Sequence, residues 1–263
     1  MRIFDAHNDY FTSKKECDFS KYDFELRAIF AVWGTRLKST EILSAADKVL
    51  KSGNLLSFED VSPVDDFSEI IVKDPAWCSL TWNYDNALAG GALGANFGLT
   101  AKGRKVVKLF ENSGIFLDLA HLSRTSAMEV IKTTDLPIVN SHACVYELNP
   151  HPRNMRLADI KEVIYRGGFF GVCLHGPFLR ESGIVRAGDV ARHVDVIVQR
   201  FGIDGVGIGA DYYGSDCLPG DLSDYQKFGY LAFELKRLGY GDDAVDAILY
   251  GNLSRVIKRR FEA

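Results

Sequence analysis

Short apolar segments recur along the chain, separated by longer stretches that mix apolar and polar residues at helical spacing. We count eight such segments. They lack a regular alternation of apolar and polar residues, which is typical of parallel strands buried on both faces. The predicted strands comprise residues 2–4, 29–33, 55–58, 76–81, 115–119, 137–140, 169–174 and 205–209.

The stretches between these strands have the period of amphipathic helices. In residues 39–52, Ile42, Ala46 and Val49 fall on one stripe, and residues 100–113 begin at Thr100, a suitable N-cap. Further helices are predicted at residues 123–134, 157–166, 187–201, 223–238 and 244–260.

The regular alternation of strands and helices, with short connections, favours right-handed βαβ units and a parallel sheet. Eight units predict an α/β fold of the closed (β/α)8 type, a TIM barrel, rather than an open doubly wound sheet. Because no linker or low-complexity tract divides the sequence, we expect residues 1–263 to form a single barrel domain.

Composition narrows the class of protein. The chain is 47% hydrophobic and 25% charged, as in soluble globular proteins, and its net charge of -4 gives no reason to expect binding to nucleic acid or to an anionic membrane. We expect no secretory signal, and the sequence has no apolar run of the ~20 residues that span a bilayer. Scattered cysteines without a C-x-x-C pair predict free thiols and a cytoplasmic protein; they are Cys17, Cys78, Cys144, Cys173 and Cys217.

Side chains that can bind metal follow most of the predicted strands. In a barrel of this type, the C-terminal ends of the strands form the face that carries the active site. Four of the six histidines occupy such positions, which packing alone would not explain. The residues concerned are His7 and Asp9 after the first strand, Glu59 after the third, His121 after the fifth, His142 after the sixth, His175 after the seventh and Asp211 after the eighth.

The spacing of these residues suggests a ligand set for divalent metal. His7 and Asp9 are two residues apart in an extended segment, so both side chains are expected on one face, holding one ion. Imidazole and carboxylate suit zinc. Glu59 ends a buried strand and is predicted to bridge two metals. His121 and His142, on neighbouring strands, are predicted to complete the second metal site.

The other polar candidates receive different assignments. Asp118 is predicted to be a buried or orienting acid and Asp60 a solvated loop acid. Asp211 is predicted to handle a proton or to hold the nucleophile and the substrate amine. His151, in a proline-flanked loop close to the pocket, and His193, on a helix surface, are assigned to structure.

The sequence resembles the membrane dipeptidase family (renal dipeptidase-like, peptidase family M19) of the amidohydrolase superfamily. The resemblance rests on D-A-H-N-D, S-L-T-W-N-Y-D-N, G-L-T-A-K-G-R-K-V-V, F-L-D-L-A-H-L-S, P-I-V-N-S-H-A, H-P-R-N-M, G-V-G-I-G-A-D-Y-Y-G and G-N-L-S-R-V, which run in family order from residue 5 to about residue 257.

The resemblance implies a binuclear zinc site and a role for each matching residue. His7, Asp9, Glu59, His121 and His142 correspond to the metal ligands. Arg153 corresponds to the arginine that binds the substrate carboxylate, for which a structural salt bridge is the alternative. Asp211 corresponds to the family's last-strand aspartate. The flank of Glu59 lacks the family's usual E-G-G. A small dipeptide-like substrate and a homodimer are also implied.

Two positions depart from the family pattern. Where many members have L-T-H, with a histidine that contacts the reacting carbonyl, this chain has Trp82, which donates one N–H but transfers no proton. His175 stands where an aromatic or polar substrate contact is expected. Both residues are predicted to contact substrate. Trp33 and Trp77 are assigned to packing.

Three functions follow as hypotheses. The first is hydrolysis of dipeptides or dipeptide-like amides by a hydroxide that bridges two divalent ions, expected to be zinc. The second keeps the metals but changes the bond to an ester, lactone, cyclic amide or phosphoester, since one barrel site serves many reactions. The third is a non-catalytic homologue that binds metal, for which the replacement of the L-T-H histidine by Trp82 is the motive.

Overall fold

Eight parallel strands form one sheet in chain order, β1 to β8, in a computed structural model that describes residues 1–13 and 19–262. The predicted (β/α)8 barrel is confirmed. Cys17 lies outside the described residues. The strands are β1 Arg2–Asn8, β2 Glu25–Trp33, β3 Leu55–Glu59, β4 Trp77–Ser79, β5 Phe116–Asp118, β6 Ile138–Ala143, β7 Phe169–Cys173 and β8 Val206–Gly209.

Helices separate the strands at nearly all the predicted places. They are α1 Ser39–Lys51, α2 Ser68–Val72, α3 Ala101–Asn112, α4 Arg124–Thr133, α5 Leu157–Tyr165, α6 Gly176–Leu179, α7 Ala187–Phe201, α8 Phe228–Arg237, α9 Asp242–Asp246 and α10 Asn252–Glu262. The periodicity did not predict the short helices α2 and α6. A π-helical turn at Ala247–Gly251 interrupts the predicted C-terminal helix, and a 3-10 turn at Tyr225–Lys227 precedes α8.

The hydrophobic core has two layers, one inside the barrel and one outside. Phe4, Ile29, Phe116, Val139 and Phe169 come from different strands yet form a single cluster, which is possible only inside the cylinder. Residues of the C-terminal helix, α10, join this cluster, so the helix covers one end of the barrel. The second layer packs the outward-facing residues of the strands against the helices.

The seam between β8 and β1 depends on the carboxylate of Asp5. One of its oxygens accepts hydrogen bonds from the backbone N–H groups of His7 (3.1 Å) and Ala210 (2.7 Å), and the other accepts from the Tyr225 hydroxyl (2.5 Å). Burial raises the pKa of Asp5 to about 6. Beside it, the Asp9 N–H donates to the carbonyl of Tyr212 (3.0 Å). The carboxylate therefore joins the first strand to the end of the last.

Among the helices of residues 1–13 and 19–262, none combines the length and apolar character needed to cross a membrane.

Replacing Asp5 with alanine should destabilise the barrel strongly. The substitution leaves the N–H groups of His7 and Ala210 and the hydroxyl of Tyr225 buried without this acceptor. Each unsatisfied group costs about 1–3 kcal/mol, so we expect the loss of all three bonds to lower the free energy of unfolding by about 3–9 kcal/mol. Urea unfolding with a chelator present measures this without a contribution from metal binding.

Asp47→Ala is the control, because Asp47 forms an exposed ion pair with Lys73 and such pairs contribute little. Its unfolding midpoint should stay at the wild-type value. Equal midpoints for the Asp5 and Asp47 variants would contradict the role of Asp5 at the seam.

Candidate metal centre

A β-bulge in β1 turns His7 into the barrel. Phe4 and Ala6 belong to the interior cluster and Ile3 to the outer layer, so a regular strand would point His7 outward. The register with β2 shifts between Asp5 and Asn8, which inserts one extra residue. Such a bulge redirects the side chain that follows it. His7 therefore lies inside β1 rather than after it, and it reaches the interior because of this irregularity.

A second bulge does the same for His142 in β6. The register with β7 shifts between Asn140 and Ala143. Val139 faces the interior, while Ala143 belongs to the outer layer, although a regular strand would place both on one face. The extra residue thus brings His142 inside, where its ring lies 3.9 Å from the ring of His7, measured between centroids.

The carboxylate of Glu59 lies between three imidazoles. One oxygen is 2.5 Å from Nε2 of His121 and 3.8 Å from Nε2 of His142, and the other is 3.9 Å from Nε2 of His7. His7 Nε2 is also 3.1 Å from Oδ2 of Asp9. The structure thus brings together all five residues that the sequence suggests as ligands.

These side chains form two overlapping groups of possible metal ligands. In the first, His7, Glu59 and His142 offer atoms within 4.8 Å of one another, and in the second, His7, Asp9 and Asp211 do so. Glu59 adjoins His121 and His142, whereas Asp9 adjoins Asp211. His7 belongs to both groups, so the two sets of possible ligands are adjacent.

The hydrogen bonds around His121 fit a bound cation better than an unliganded site. Its Nδ1 is 2.9 Å from the side-chain oxygen of Asn83, so Nδ1 carries the proton and Nε2 carries the lone pair. That nitrogen lies 2.5 Å from the Glu59 oxygen, which is also an acceptor, and 2.9 Å from Nε2 of His142. Burial lowers the pKa of His121 well below its usual value, which disfavours a bridging proton on this ring. A divalent metal ion would satisfy both acceptors.

Electrostatics around His7 point the same way. Burial opposes a protonated ring, but the carboxylates of Asp9 and Glu59 outweigh it and raise the pKa of His7 to about 10. One oxygen of Asp9 is buried without a hydrogen-bond partner. The site therefore attracts positive charge strongly.

Two ligand-bearing segments have unusual backbone geometry. His121 and Asp211 have φ angles of 67° and 59°, in the left-handed region that few non-glycine residues adopt. Next to them, a Cβ atom at Gly214 would overlap the carboxylates of Asp9 and Asp211. Such conformations persist where the surroundings enforce them, and they cluster at functional sites.

Arg153 is a buried cation without a carboxylate partner. Its side chain is in the loop between β6 and α5 and is only 5% exposed. No carboxylate of the described residues lies within ion-pair distance of it, so the structural salt bridge is not formed. Its guanidinium donates to the carbonyl of His142 (3.3 Å), and its Nε has no partner. Burial lowers the pKa of Arg153.

A cavity of about 520 Å³ connects the ligand cluster with this arginine. Trp82 and His175, the other predicted substrate contacts, line it. Trp82 is stacked on His121, with 6.1 Å between ring centroids, and His175 Nδ1 is 2.8 Å from the Ser215 hydroxyl. Asp211 also lines the cavity; burial and the charges of Asp9 and Glu59 raise its pKa well above the usual range.

Two assignments from the sequence are wrong. Asp60 is buried rather than solvated, and its carboxylate accepts hydrogen bonds from Thr35 and Ser62. His193 is buried rather than on the surface: Nδ1 accepts from the N–H of Val145, and Nε2 contacts the carbonyl of Leu179. Trp33 packs edge-on against Trp82, with 5.4 Å between ring centroids, and also lines the cavity.

Sequence reasoning missed several residues that shape the site. Asn83 orients His121, and Phe178 packs beside Arg153 with 5.3 Å between the guanidinium carbon and the ring centroid. Asn83 follows Trp82, so its place after the fourth strand could have suggested a role. Phe178 lies in α6, which the periodicity did not indicate.

The sequence profile of the membrane dipeptidase family (peptidase family M19) matches residues 68–262. Dipeptidase 3 of Rattus norvegicus is 32% identical over 163 residues, which cover 62% of this chain and 33% of the rat protein. The match thus spans about a third of that relative. His7, Asp9 and Glu59 precede the region that the profile matches.

Solved structures show the same fold over the whole chain. The dipeptidase AC, a metallopeptidase of family M19, superposes with a TM-score of 0.89 at 19% identity, over 100% of this chain and 99% of the other. A metallopeptidase from Rhodobacter sphaeroides, bound to a phosphinate mimic of the dipeptide L-Ala-D-Ala, gives 0.86 at 18% identity, over 99% of both chains. Since the family profile covers most of its sequence, the chain belongs to the membrane dipeptidase family, peptidase family M19.

Proposed function

We propose that this protein hydrolyses dipeptides or dipeptide-like amides with two divalent metal ions, specifically zinc, held by His7, Asp9, Glu59, His121 and His142. The observation that carries the proposal is the convergence of these side chains at one end of a cavity that also contains an unpaired, buried arginine. Bound ions of this kind lower the pKa of a water molecule towards ~7 and polarise a carbonyl group.

In this proposal, Arg153 binds the substrate's terminal carboxylate. A buried cation is costly unless it is paired, and a guanidinium matches a carboxylate with two parallel hydrogen bonds. Because no described carboxylate supplies that pair, the substrate supplies it. This fixes one end of the substrate and directs the amide towards the ligand cluster.

Asp211 moves the proton. It lies beside Asp9 in the ligand cluster, and burial together with the charges of Asp9 and Glu59 raises its pKa, which makes its carboxylate a stronger base. We assign it the acceptance of a proton from the nucleophilic water and the donation of that proton to the leaving amine. Trp82 packs against the substrate and excludes water, and His175 contacts the substrate from the opposite wall.

The relatives support a dipeptide substrate. The rat relative is a dipeptidase by name, and the Rhodobacter protein binds a dipeptide mimic. A cytoplasmic location is supported by the cysteines of the described residues, which are unpaired: Cys78, Cys144, Cys173 and Cys217.

Trp82 favours a second candidate, the cleavage of an ester or lactone. Such bonds have better leaving groups than amides and depend less on proton transfer at the reacting carbonyl. An indole stacked on His121 offers no transferable proton.

Assays of dipeptides and of matched esters and lactones, with zinc, cobalt or manganese, separate these candidates. We expect hydrolysis of dipeptides by the wild type. The Trp82→His variant, which installs a proton-transferring ring, should hydrolyse them about 10–100-fold faster in kcat. Trp82→Phe is the control, since it keeps an aromatic ring without such a group. A preference for esters would favour the second candidate, and inactivity on dipeptides with every metal would contradict the proposal.

Glu59→Gln should remove metal and activity together. An amide carries no charge and bridges two cations poorly. We expect the metal content, measured by plasma mass spectrometry, to fall from about two ions per chain to one or fewer, and kcat to fall at least ~1000-fold. Asp60→Asn is the matched control. Asp60 is the next residue in the sequence, but its carboxylate accepts hydrogen bonds from Thr35 and Ser62. Equal metal content in both variants would count against Glu59.

Arg153→Met should both raise KM and stabilise the fold. Loss of one partner of a buried charge pair costs about 2–5 kcal/mol, so kcat/KM should fall at least ~30-fold on dipeptides with a free carboxylate. On C-terminal amides, the variant should match the wild type. Removal of an unpaired buried cation should also raise the melting temperature.

Arg156→Met controls for general effects of charge, because Arg156 is exposed and lies over the ring of Tyr146. The Arg156 variant should leave both kcat/KM and the melting temperature unchanged. If the Arg153 variant lost activity equally on dipeptides with a free carboxylate and on their C-terminal amides, Arg153 would not bind the substrate carboxylate.

A further inference from the structure

Three nitrogen-bearing side chains surround the ring of Phe178, in α6, on the cavity wall. The ring centroids of His151 and His175 are 4.7 and 4.6 Å from that of Phe178, and the Arg153 guanidinium carbon is 5.3 Å from it. We call His151, Arg153 and His175 the basic corner. All three line the cavity that contains the ligand cluster.

The donors of Arg153 are mostly unused. A guanidinium has five N–H groups, and here the protein acceptor is the carbonyl of His142. Its Nε is buried without a partner. A single carboxylate can take two parallel bonds from such a group.

His151 offers a further donor. Its Nδ1 accepts a hydrogen bond from the N–H of Arg153 (3.2 Å), so the neutral ring carries its proton on Nε2. No protein acceptor contacts that Nε2 among the described residues. Burial, with the charge of Arg153, lowers the pKa of His151.

His175 is held in a similar way. Its Nδ1 lies 2.8 Å from the hydroxyl of Ser215, and that hydroxyl already accepts from the N–H of Cys217 (3.2 Å). The Ser215 hydroxyl has a proton of its own, and when it donates that proton to Nδ1 the proton of His175 lies on Nε2, which has no protein acceptor in the part of the chain that the structure describes.

Among the described residues, no acidic group of the cavity forms an ion pair with Arg153 or His151. Asp9, Glu59 and Asp211 belong to the ligand cluster, and the charges of Glu59 and Asp211 act on Arg153 without an ion pair. Asp216 is 4.0 Å from Nδ1 of His175, but its side chain is 94% exposed, so solvent screens its charge.

We propose that the basic corner binds two carboxylates and so selects dipeptides whose C-terminal residue is acidic, an aspartyl or glutamyl residue. The inference rests on the proposed function. Arg153 takes the terminal carboxylate, and the Nε2 donors of His151 and His175 take the side-chain carboxylate. With a neutral C-terminal residue the two imidazole donors remain without acceptors, which the second carboxylate corrects.

Isosteric substrate pairs test this in the metal-loaded full chain. Ala-Glu is compared with Ala-Gln, and Ala-Asp with Ala-Asn, each with an L and with a D C-terminal residue. In the preferred stereoisomer we expect kcat/KM to be at least ~10-fold higher for the acid, which corresponds to about 1.4 kcal/mol. His151→Phe and His175→Phe keep a ring against Phe178 but remove the donor, and each should reduce this preference several-fold, mainly through KM.

Arg180→Gln is the control, because Arg180 is an exposed cation next to α6 that pairs with Asp189. It should keep the preference, which distinguishes direct contact from general surface charge. Equal kcat/KM for acid and amide, or a preference unchanged in both phenylalanine variants, overturns the inference while dipeptide hydrolysis stands.

Calorimetric binding of N-acetylglutamate and N-acetylglutamine decides the matter if no dipeptide is hydrolysed. Tighter binding of the acid, weakened in His175→Phe, would support the corner even though the proposed activity had failed. Equal binding of N-acetylglutamate and N-acetylglutamine would contradict the proposed role of the basic corner as well.

Discussion

The structure depends on a concentration of buried acceptors at the C-terminal end of the barrel. Glu59 and the lone pair of His121 face each other at 2.5 Å, and one oxygen of Asp9 is buried without a partner. Protein groups that carry lone pairs or negative charge repel at such distances unless a proton or a metal cation lies between them. A bound cation, as the proposed function requires, would explain why these side chains are tolerated together.

The geometry of the ligand cluster depends on two irregularities in the strands of the barrel. Perfect strands would point His7 and His142 at the helices, and the bulges in β1 and β6 point them inward. Asp5 then holds the bulged part of β1 against the end of β8, with Tyr225 beside it. The seam of the cylinder and the candidate ligand cluster are therefore connected, because Asp5 accepts hydrogen bonds from the backbone of both His7 and Ala210.

Much of this was predictable from the sequence. The eight apolar segments predicted the barrel because buried parallel strands have a simple signature, and the ligand candidates followed because strand ends converge. The bulges were not predictable, since one extra residue leaves no compositional mark. Asp60 and His193 were misassigned because burial of a polar residue depends on partners far away in sequence, such as Thr35 and Val145. Only the structure could show that no carboxylate of the described residues pairs with Arg153.

The most direct test of the account is anomalous X-ray diffraction at the zinc absorption edge from crystals grown with zinc. The account predicts two peaks about 3.5–4 Å apart, with Glu59 touching both, His7 and Asp9 on one, and His121 and His142 on the other. A single peak away from Glu59, or no peak among these side chains, would contradict it.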